Sequence, residues 1–498
     1  MSKKVPPEAS VTRKENLALA IIIALGIFMR FSGYWANRSI WLDEACLALN
    51  VINKSFLDLI VHPLDDNQAA PVAFLLLTKL LVSTLGRNEY VLRLIPFLAS
   101  LGSLVIFYKF LVKFASRKVA LIALVLFSIS IHLMRYASEF KQYSSDVFFS
   151  LVIMLWGVSI LKSRLSVKDT VAGGLMGAVI IWFSYPSIFL FGAVGMVLLT
   201  VYFIDKRWVD LRHLGMIFLF WVSSFILMYS LSLKNIAGNS SLENYWIHSF
   251  IPLPAYTIKE QLLTVYLFMQ MFFDPGGIQQ ILPTTVAFIL GAYAISKEGK
   301  PLLLMLLMPL VLVAIASGLH RYPFEGRLLL FYVPFLYLFI AAGLTFLIEK
   351  PSLPARMLGT VLLVIILWFP LISVYEQLNS RAVVYSEEIK PILNYVRKNI
   401  RSGDTIYVYY GAQKAFDFYA KSYGFDKYSS IKGLGSRKTR ENYHQDLSQL
   451  AGKSRVWIIF AHVYSSEEDY MVHYLETIGK RLDAATARGA ATYFYQFN

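Results

Sequence analysis

The chain has 498 residues and a formal net charge of +15; 57% of its residues are hydrophobic and 16% are charged. Soluble proteins average roughly 45–50% apolar and about 25% charged residues, so this composition excludes a disordered chain or a basic nucleic-acid-binding tail. The single cysteine, Cys46, excludes an intramolecular disulfide and a multi-cysteine metal cluster.

Apolar runs recur from Leu17 to Val374. Backbone polar groups cannot be left unpaired in hydrocarbon, so such runs, bounded by charge, predict helices that cross a bilayer. About eleven are expected. The first, Leu17 to Phe31, follows Lys3, Lys4, Arg13 and Lys14; no small-residue cleavage site comes after it, which is the pattern of an uncleaved anchor. The next are Val91 to Phe110, Val119 to Leu133, Val147 to Leu161, Val171 to Phe183, Ile188 to Phe203 and Leu214 to Leu231. The fifth and sixth are separated at Ser184-Tyr185-Pro186, because one helix of their combined length would overshoot the membrane. Four more follow: Ile281 to Ile295, Leu302 to Gly318, Leu328 to Leu347 and Met357 to Val374.

With the N-terminus in the cytoplasm, alternate connections are short and basic, for example Lys109, Lys113, Arg117 and Lys118, or Lys206, Arg207 and Arg212. This is the positive-inside pattern. An odd number of spans then puts residues 375–498 outside the cytoplasm. That segment reads as a soluble α/β layer domain following a membrane domain of residues 1–374. Expected helices cover Glu387 to Asn399, a stretch after Tyr410 that runs through Phe416 and Tyr419, Arg437 to Leu450 and Glu467 to Ile478; expected strands cover Asp404 to Tyr410, Val456 to Phe460 and Thr492 to Phe497. Gly433-Leu434-Gly435 lacks the third glycine and preceding strand of a phosphate loop and reads as a turn. No internal repeat of roughly 20–50 residues is visible.

The first external loop, about residues 34–90, carries the most chemistry. It reads Trp41-Leu42-Asp43-Glu44-Ala45, an amphipathic segment to Ile60, then Asp65-Asp66-Asn67-Gln68-Ala69-Ala70-Pro71. An Asp at bilayer depth costs roughly 2.5–3.5 kcal/mol on insertion scales, so carboxylates beside a Trp at the membrane surface point to function. They serve equally as a solvated helix start favoured by the helix dipole. In the second external loop, Arg135, Glu139, Gln142 and Asp146 fall near one face if the helix is continuous; an intrahelical Arg135–Glu139 pair is the plain alternative. His320, Arg321, Tyr322 and Arg327 lie between two late spans, where guanidinium groups suit phosphate and also snorkel to the interface.

The Trp41-Leu42-Asp43-Glu44-Ala45 run, Gly86-Arg87-Asn88-Glu89-Tyr90 and the segment up to Arg93, Arg135-Tyr136-Ala137-Ser138-Glu139-Phe140-Lys141, Tyr245-Trp246 and His320-Arg321-Tyr322 together resemble GT-C membrane glycosyltransferases. In style they are similar to the bacterial Rgt-like branch, related to protein O-mannosyltransferases and lipid A aminoarabinose transferases. The resemblance implies a polyprenyl-phosphate sugar as donor and an envelope glycolipid, polysaccharide or protein as acceptor, with Asp43 as the catalytic acid of the first loop. Relatives often carry a His or carboxylate before a Pro-Pro-Leu-Tyr run, where this chain has Gln68-Ala69-Ala70-Pro71.

Residue chemistry runs the same way. A lipid phosphate leaves as a stable anion, so one base and several cations suffice, whereas a glycosidase needs two carboxylates. Asp43, beside Glu44, is the candidate base, and direct displacement inverts the anomeric carbon. Arg135, Lys141, His320, Arg321, Tyr322 and Arg327 are candidates for the donor phosphate. Trp41, Gln68, Glu139, Tyr143, Tyr245 and Trp246 are candidate substrate contacts. Asp43 with Asp65 or Asp66 leaves room for a divalent cation, although no His/Asp spacing demands one. The competing readings are a lipid-linked-sugar flippase, which would show repeated halves and midplane charges, and a non-catalytic membrane protein that acts through its tail. Membrane lipids are the expected surroundings, and nucleic acid is not an expected partner.

Overall fold

Every apolar run named above folds as a helix in the computed structural model, which describes residues 13–380, 387–436 and 441–497. Lys3 and Lys4, at the head of the expected anchor, and Arg437, at the start of an expected helix, lie outside the described residues. Among the described residues, eight helices are long and apolar enough to cross a membrane. They become nine if Arg117–Ile129 and Ile131–Ala137, bent by 53°, form one span. The bend follows from Ser130, which leaves helical geometry and restarts the helix by accepting the Leu133 N–H. The count is lower than the expected eleven or so because two helices fall short of the roughly 20 apolar residues that span hydrocarbon. Val167–Ile180 has only 14 residues, and Ile281–Glu298 ends in Lys297 and Glu298. The chain is a multi-pass helical membrane protein with a C-terminal α/β region.

Among the described residues, the helix Gly326–Ile348 is the most buried of the spans. Helix Ile281–Glu298 approaches it so closely that a Cβ at Gly291 would fall on the Phe339 carbonyl oxygen, and one at Gly343 on that of Ala287. Without a hydrophobic drive in lipid, backbone approach at small residues is what holds such a pair. Arg30 is fully buried inside the first span, where its guanidinium donates to Ser100 Oγ (2.8 Å) and to the carbonyls of Gly26 (3.0 Å) and Phe127 (3.1 Å). It thereby ties three helices together.

The C-terminal sheet contains β1 (Thr405–Val408), β2 (Ser429–Lys432), β3 (Val456–Ala461), β4 (Gly479–Ala487) and β5 (Ala490–Phe497), in the order β2-β1-β3-β5-β4. β1 is parallel to β2 and β3, while β5 is antiparallel to β3 and β4. The central strands β1 and β3 are wholly buried. The edges β2 and β4 are largely exposed and polar, so they lack the apolar signal by which a strand is read from sequence.

Between the first two spans the chain forms helices Leu42–Asn53 and Val72–Leu85, linked by the short helix Asp58–Val61 and a tight turn at Asp65–Asn67. Leu47, Val51, Phe74 and Leu75 from this loop share one apolar cluster with Ile392, Leu393, Phe416 and Trp457. The C-terminal region therefore packs directly on the segment that carries Asp43.

Candidate functional site

Asp43 is the second residue of helix Leu42–Asn53, whose start has no side-chain cap of its own. The far end of the chain supplies one. Glu387 Oε2 accepts the Leu42 N–H (3.4 Å), Glu388 Oε2 accepts the Ser39 N–H (3.3 Å) and hydroxyl (2.9 Å), and Tyr419 Oη accepts the Ile40 N–H (2.9 Å). Carboxylates at a helix N-terminus satisfy free N–H groups and favour the dipole.

The Asp43 side chain reaches the head of a cavity of about 420 Å³. Oδ1 lies 2.9 Å from Lys141 Nζ and accepts from Gln68 Nε2 (3.1 Å); Oδ2 lies 2.6 Å from Arg327 Nη1. Lys141 also donates to Gln68 Oε1 (2.7 Å), closing a triangle. Burial alone would raise the Asp43 carboxyl, but Lys141 and then Arg327 hold it far below the usual carboxylate range. Gln68 is thus a built-in partner of both acid and lysine. The Arg327 guanidinium sits 5.5 Å from the Tyr143 ring centre.

Lining the same cavity are His320, Arg321, Tyr322 and Trp246, so nine of the candidate residues converge there. His320, at φ +55°, stacks on Phe250 with centroids 4.5 Å apart and faces Glu243 at 3.4 Å. Tyr322 donates to the Leu328 carbonyl (2.8 Å). Five candidates are not brought to the cavity: Trp41, Glu44, Arg135, Glu139 and Tyr245. Glu44 points into the protein, where Arg93 grips it through two bonds of 2.8 and 2.7 Å and the Phe140 N–H donates at 2.6 Å. Burial would raise its carboxyl, and Arg93, then Arg38, lower it below the usual range. The expected continuous helix through Arg135 and Asp146 is interrupted, ending at Ala137 and resuming at Tyr143. The intervening backbone instead serves the first loop, as the Phe140 bond to Glu44 shows. Arg135 pairs with buried Glu139 (3.0 Å) and lies 5.8 Å from the Trp41 ring centre. Tyr245 is exposed and packs edge-on to Trp246.

No family model and no curated protein matches the chain. Solved structures do. ArnT from Cupriavidus metallidurans bound to undecaprenyl phosphate matches with a TM-score of 0.54 at 11% identity, over 95% of this chain and 97% of that one. The chain has the fold of the GT-C glycosyltransferases. The apo state of the same ArnT gives 0.54 at 10% identity over the same shares. An apo Archaeoglobus fulgidus oligosaccharyltransferase shares the GT-C fold at 0.50 and 11% identity, over 98% of this chain and 75% of that one.

Within this GT-C fold, the residues that sequence reasoning missed are mostly the cavity's apolar wall. Phe225, Tyr229, Leu233 and Ile236 line it from helix Trp208–Met228 and from the π-helical turn Tyr229–Leu233 and short helix Lys234–Ala237 that continue it. The signal was length: the apolar helix runs on to Ala237, 30 residues in all, against the roughly 20 needed to cross. Gln142 also lines the cavity, and its buried Oε1 has no hydrogen-bond partner among the described residues.

The arrangement does not suit the divalent cation considered above. Both Asp43 oxygens already face cations, Asp65 pairs with Lys54 (3.0 Å) and Asp66 with Lys414 (2.7 Å). Among the described residues no group of three or more His, Cys, Asp or Glu gathers around one point.

Proposed function

We propose that the chain is a glycosyltransferase that moves a hexosyl or pentosyl unit from a polyprenyl-phosphate carrier to an envelope glycolipid, polysaccharide or protein on the extracytoplasmic face of the membrane. One observation carries the reading: a carboxylate between two cations, Lys141 and Arg327, at the polar head of a cavity with an apolar wall. The wall suits an isoprenoid chain, and the cations suit its phosphate. ArnT, solved with undecaprenyl phosphate, has the same fold.

In this reaction Asp43 takes the proton from the acceptor hydroxyl or amine as that atom attacks the anomeric carbon. The bond from that carbon to the phosphate oxygen breaks, and the electron pair leaves with the phosphate. Lys141, Arg327 and Arg321 hold the departing anion, while Gln142 Oε1 is free to accept from a sugar hydroxyl. Attack from the face opposite the phosphate inverts the anomeric centre.

With Lys141 and Arg327 against it, Asp43 is a weak base. A donor phosphate competes for the same two cations, and as they turn toward it the carboxylate regains basicity. Donor binding therefore switches on the base.

The test is transfer in proteoliposomes without an ion gradient, given a panel of defined polyprenyl-phosphate sugars and an envelope fraction as acceptor. Labelled product supports the enzyme. Translocation of the lipid without product supports the flippase and overturns this reading.

A further inference from the structure

A second cleft, of about 800 Å³, opens between the first loop and helix Gln413–Tyr423 of the C-terminal region. The turn Asp65–Asn67 borders both this cleft and the Asp43 cavity. Asp65 and Asp66 line the cleft, whereas Asn67 and Gln68 line the cavity, where Gln68 donates to Asp43. The turn is fixed on both sides. Buried Asn50 accepts the Asp65 N–H (2.8 Å) and donates to its carbonyl (3.2 Å), and Lys414 holds Asp66. Asp66 and Asn67 stand at φ +59° and +52°, a left-handed conformation unusual for residues other than glycine.

The cleft is polar and has unspent positive charge. Five cations and four carboxylates line it. All four carboxylates are already paired: Asp65 and Asp66 as described, Glu89 with Lys390 (2.9 Å) and Asp417 with Lys432 (2.6 Å). Arg87 and Lys421 are exposed and have no ion-pair partner among the described residues. Phe418 and Tyr423 add half-buried rings, which suit the C–H faces of sugars.

We propose that this cleft binds the polar part of the acceptor and selects a saccharide that carries negative charge. The proposal rests on the glycosyltransferase reading above and assigns the acceptor to a site of its own. Donor lipid occupies the apolar-walled cavity, the acidic saccharide occupies the cleft, and the two meet across the Asp65–Asn67 turn at Asp43. Arg87 and Lys421 supply charge attraction that a neutral saccharide cannot use.

Calorimetric titration of the full chain in detergent separates the two sites, with trigalacturonic acid, the neutral galactose trimer and undecaprenyl phosphate as probes. The acidic trisaccharide binds at least about tenfold tighter than the neutral one. The double variant Arg87→Glu, Lys421→Glu, which breaks no ion pair, weakens that binding by at least about tenfold and leaves undecaprenyl phosphate affinity unchanged. Equal binding of the two trisaccharides, no binding of the acidic one to the wild-type chain, or unaltered binding by the double variant overturns the proposal. Wild-type chain that binds the acid but not undecaprenyl phosphate strikes the donor reading, and with it the acceptor role of the cleft.

Discussion

Arg327 Nη1 lies 2.6 Å from Asp43 Oδ2, although 284 residues separate them in the chain. The contact joins the loop between the first two spans to the start of the most buried span, and it lies at the head of the cavity. Arg327, after Lys141, lowers the Asp43 carboxyl, and in the proposed reaction it is one of the cations that meet the donor phosphate. Replacing it with Gln keeps the side chain polar but removes the charge. Undecaprenyl phosphate binding then weakens by roughly tenfold or more, since hydrogen bonds between charged groups contribute about 1.5–3 kcal/mol. Titration of the variant against the wild-type chain reads this directly, and unchanged affinity contradicts the assignment.

Glu44 plays a different part from its neighbour. Glu44→Gln leaves Arg93 buried without its counter-charge, a change that costs about 3–5 kcal/mol in comparable buried pairs. The thermal midpoint in detergent falls by several degrees, more than for Asp43→Asn, whose site is partly open. A stable Glu44→Gln chain without transfer would instead give Glu44 a role in the chemistry.

Adjacent acids on a helix point about 100° apart, and this is why the sequence could not divide their labour. The Trp-Leu-Asp-Glu-Ala run, the basic loops and the apolar runs were all legible, because charge at a membrane surface and the length of an apolar stretch are local properties. Convergence was less legible. Lys141, which reaches Asp43, lies in the break between Ala137 and Tyr143, where the Phe140 N–H donates to Glu44 of another loop. The edge strands β2 and β4 were missed because their exposed polar residues leave no apolar pattern.

The pairing of Asp43 also has a sign in pH. Its folded value is depressed below the ordinary 3.8, so the associated stabilisation is fully present above that value and is lost as pH falls through the lower, folded one. The difference in thermal midpoint between wild type and Asp43→Asn therefore stays constant from about pH 7 to about pH 5 and changes only below about pH 4. A difference that changes near neutral pH contradicts the ion triad.

Glu387 and Glu388 hold the start of the Asp43 helix from the C-terminal region. Glu387 caps the helix itself, at Leu42, and its loss costs ~0.5–2 kcal/mol of local stability, while Glu388 holds Ser39 just before it. In the Glu387→Ala, Glu388→Ala variant, backbone amides of residues 39–43 exchange hydrogen faster, and transfer falls while undecaprenyl phosphate binding persists. Wild-type exchange rates at those amides would sever the C-terminal region from the site.

The central claim is that Asp43 takes the acceptor's proton. Its most direct test is transfer by Asp43→Asn in proteoliposomes supplied with whichever polyprenyl-phosphate sugar the wild-type chain uses. The variant keeps its fold and its undecaprenyl phosphate binding and loses transfer by about 10²–10⁴-fold. Full transfer by Asp43→Asn contradicts the account.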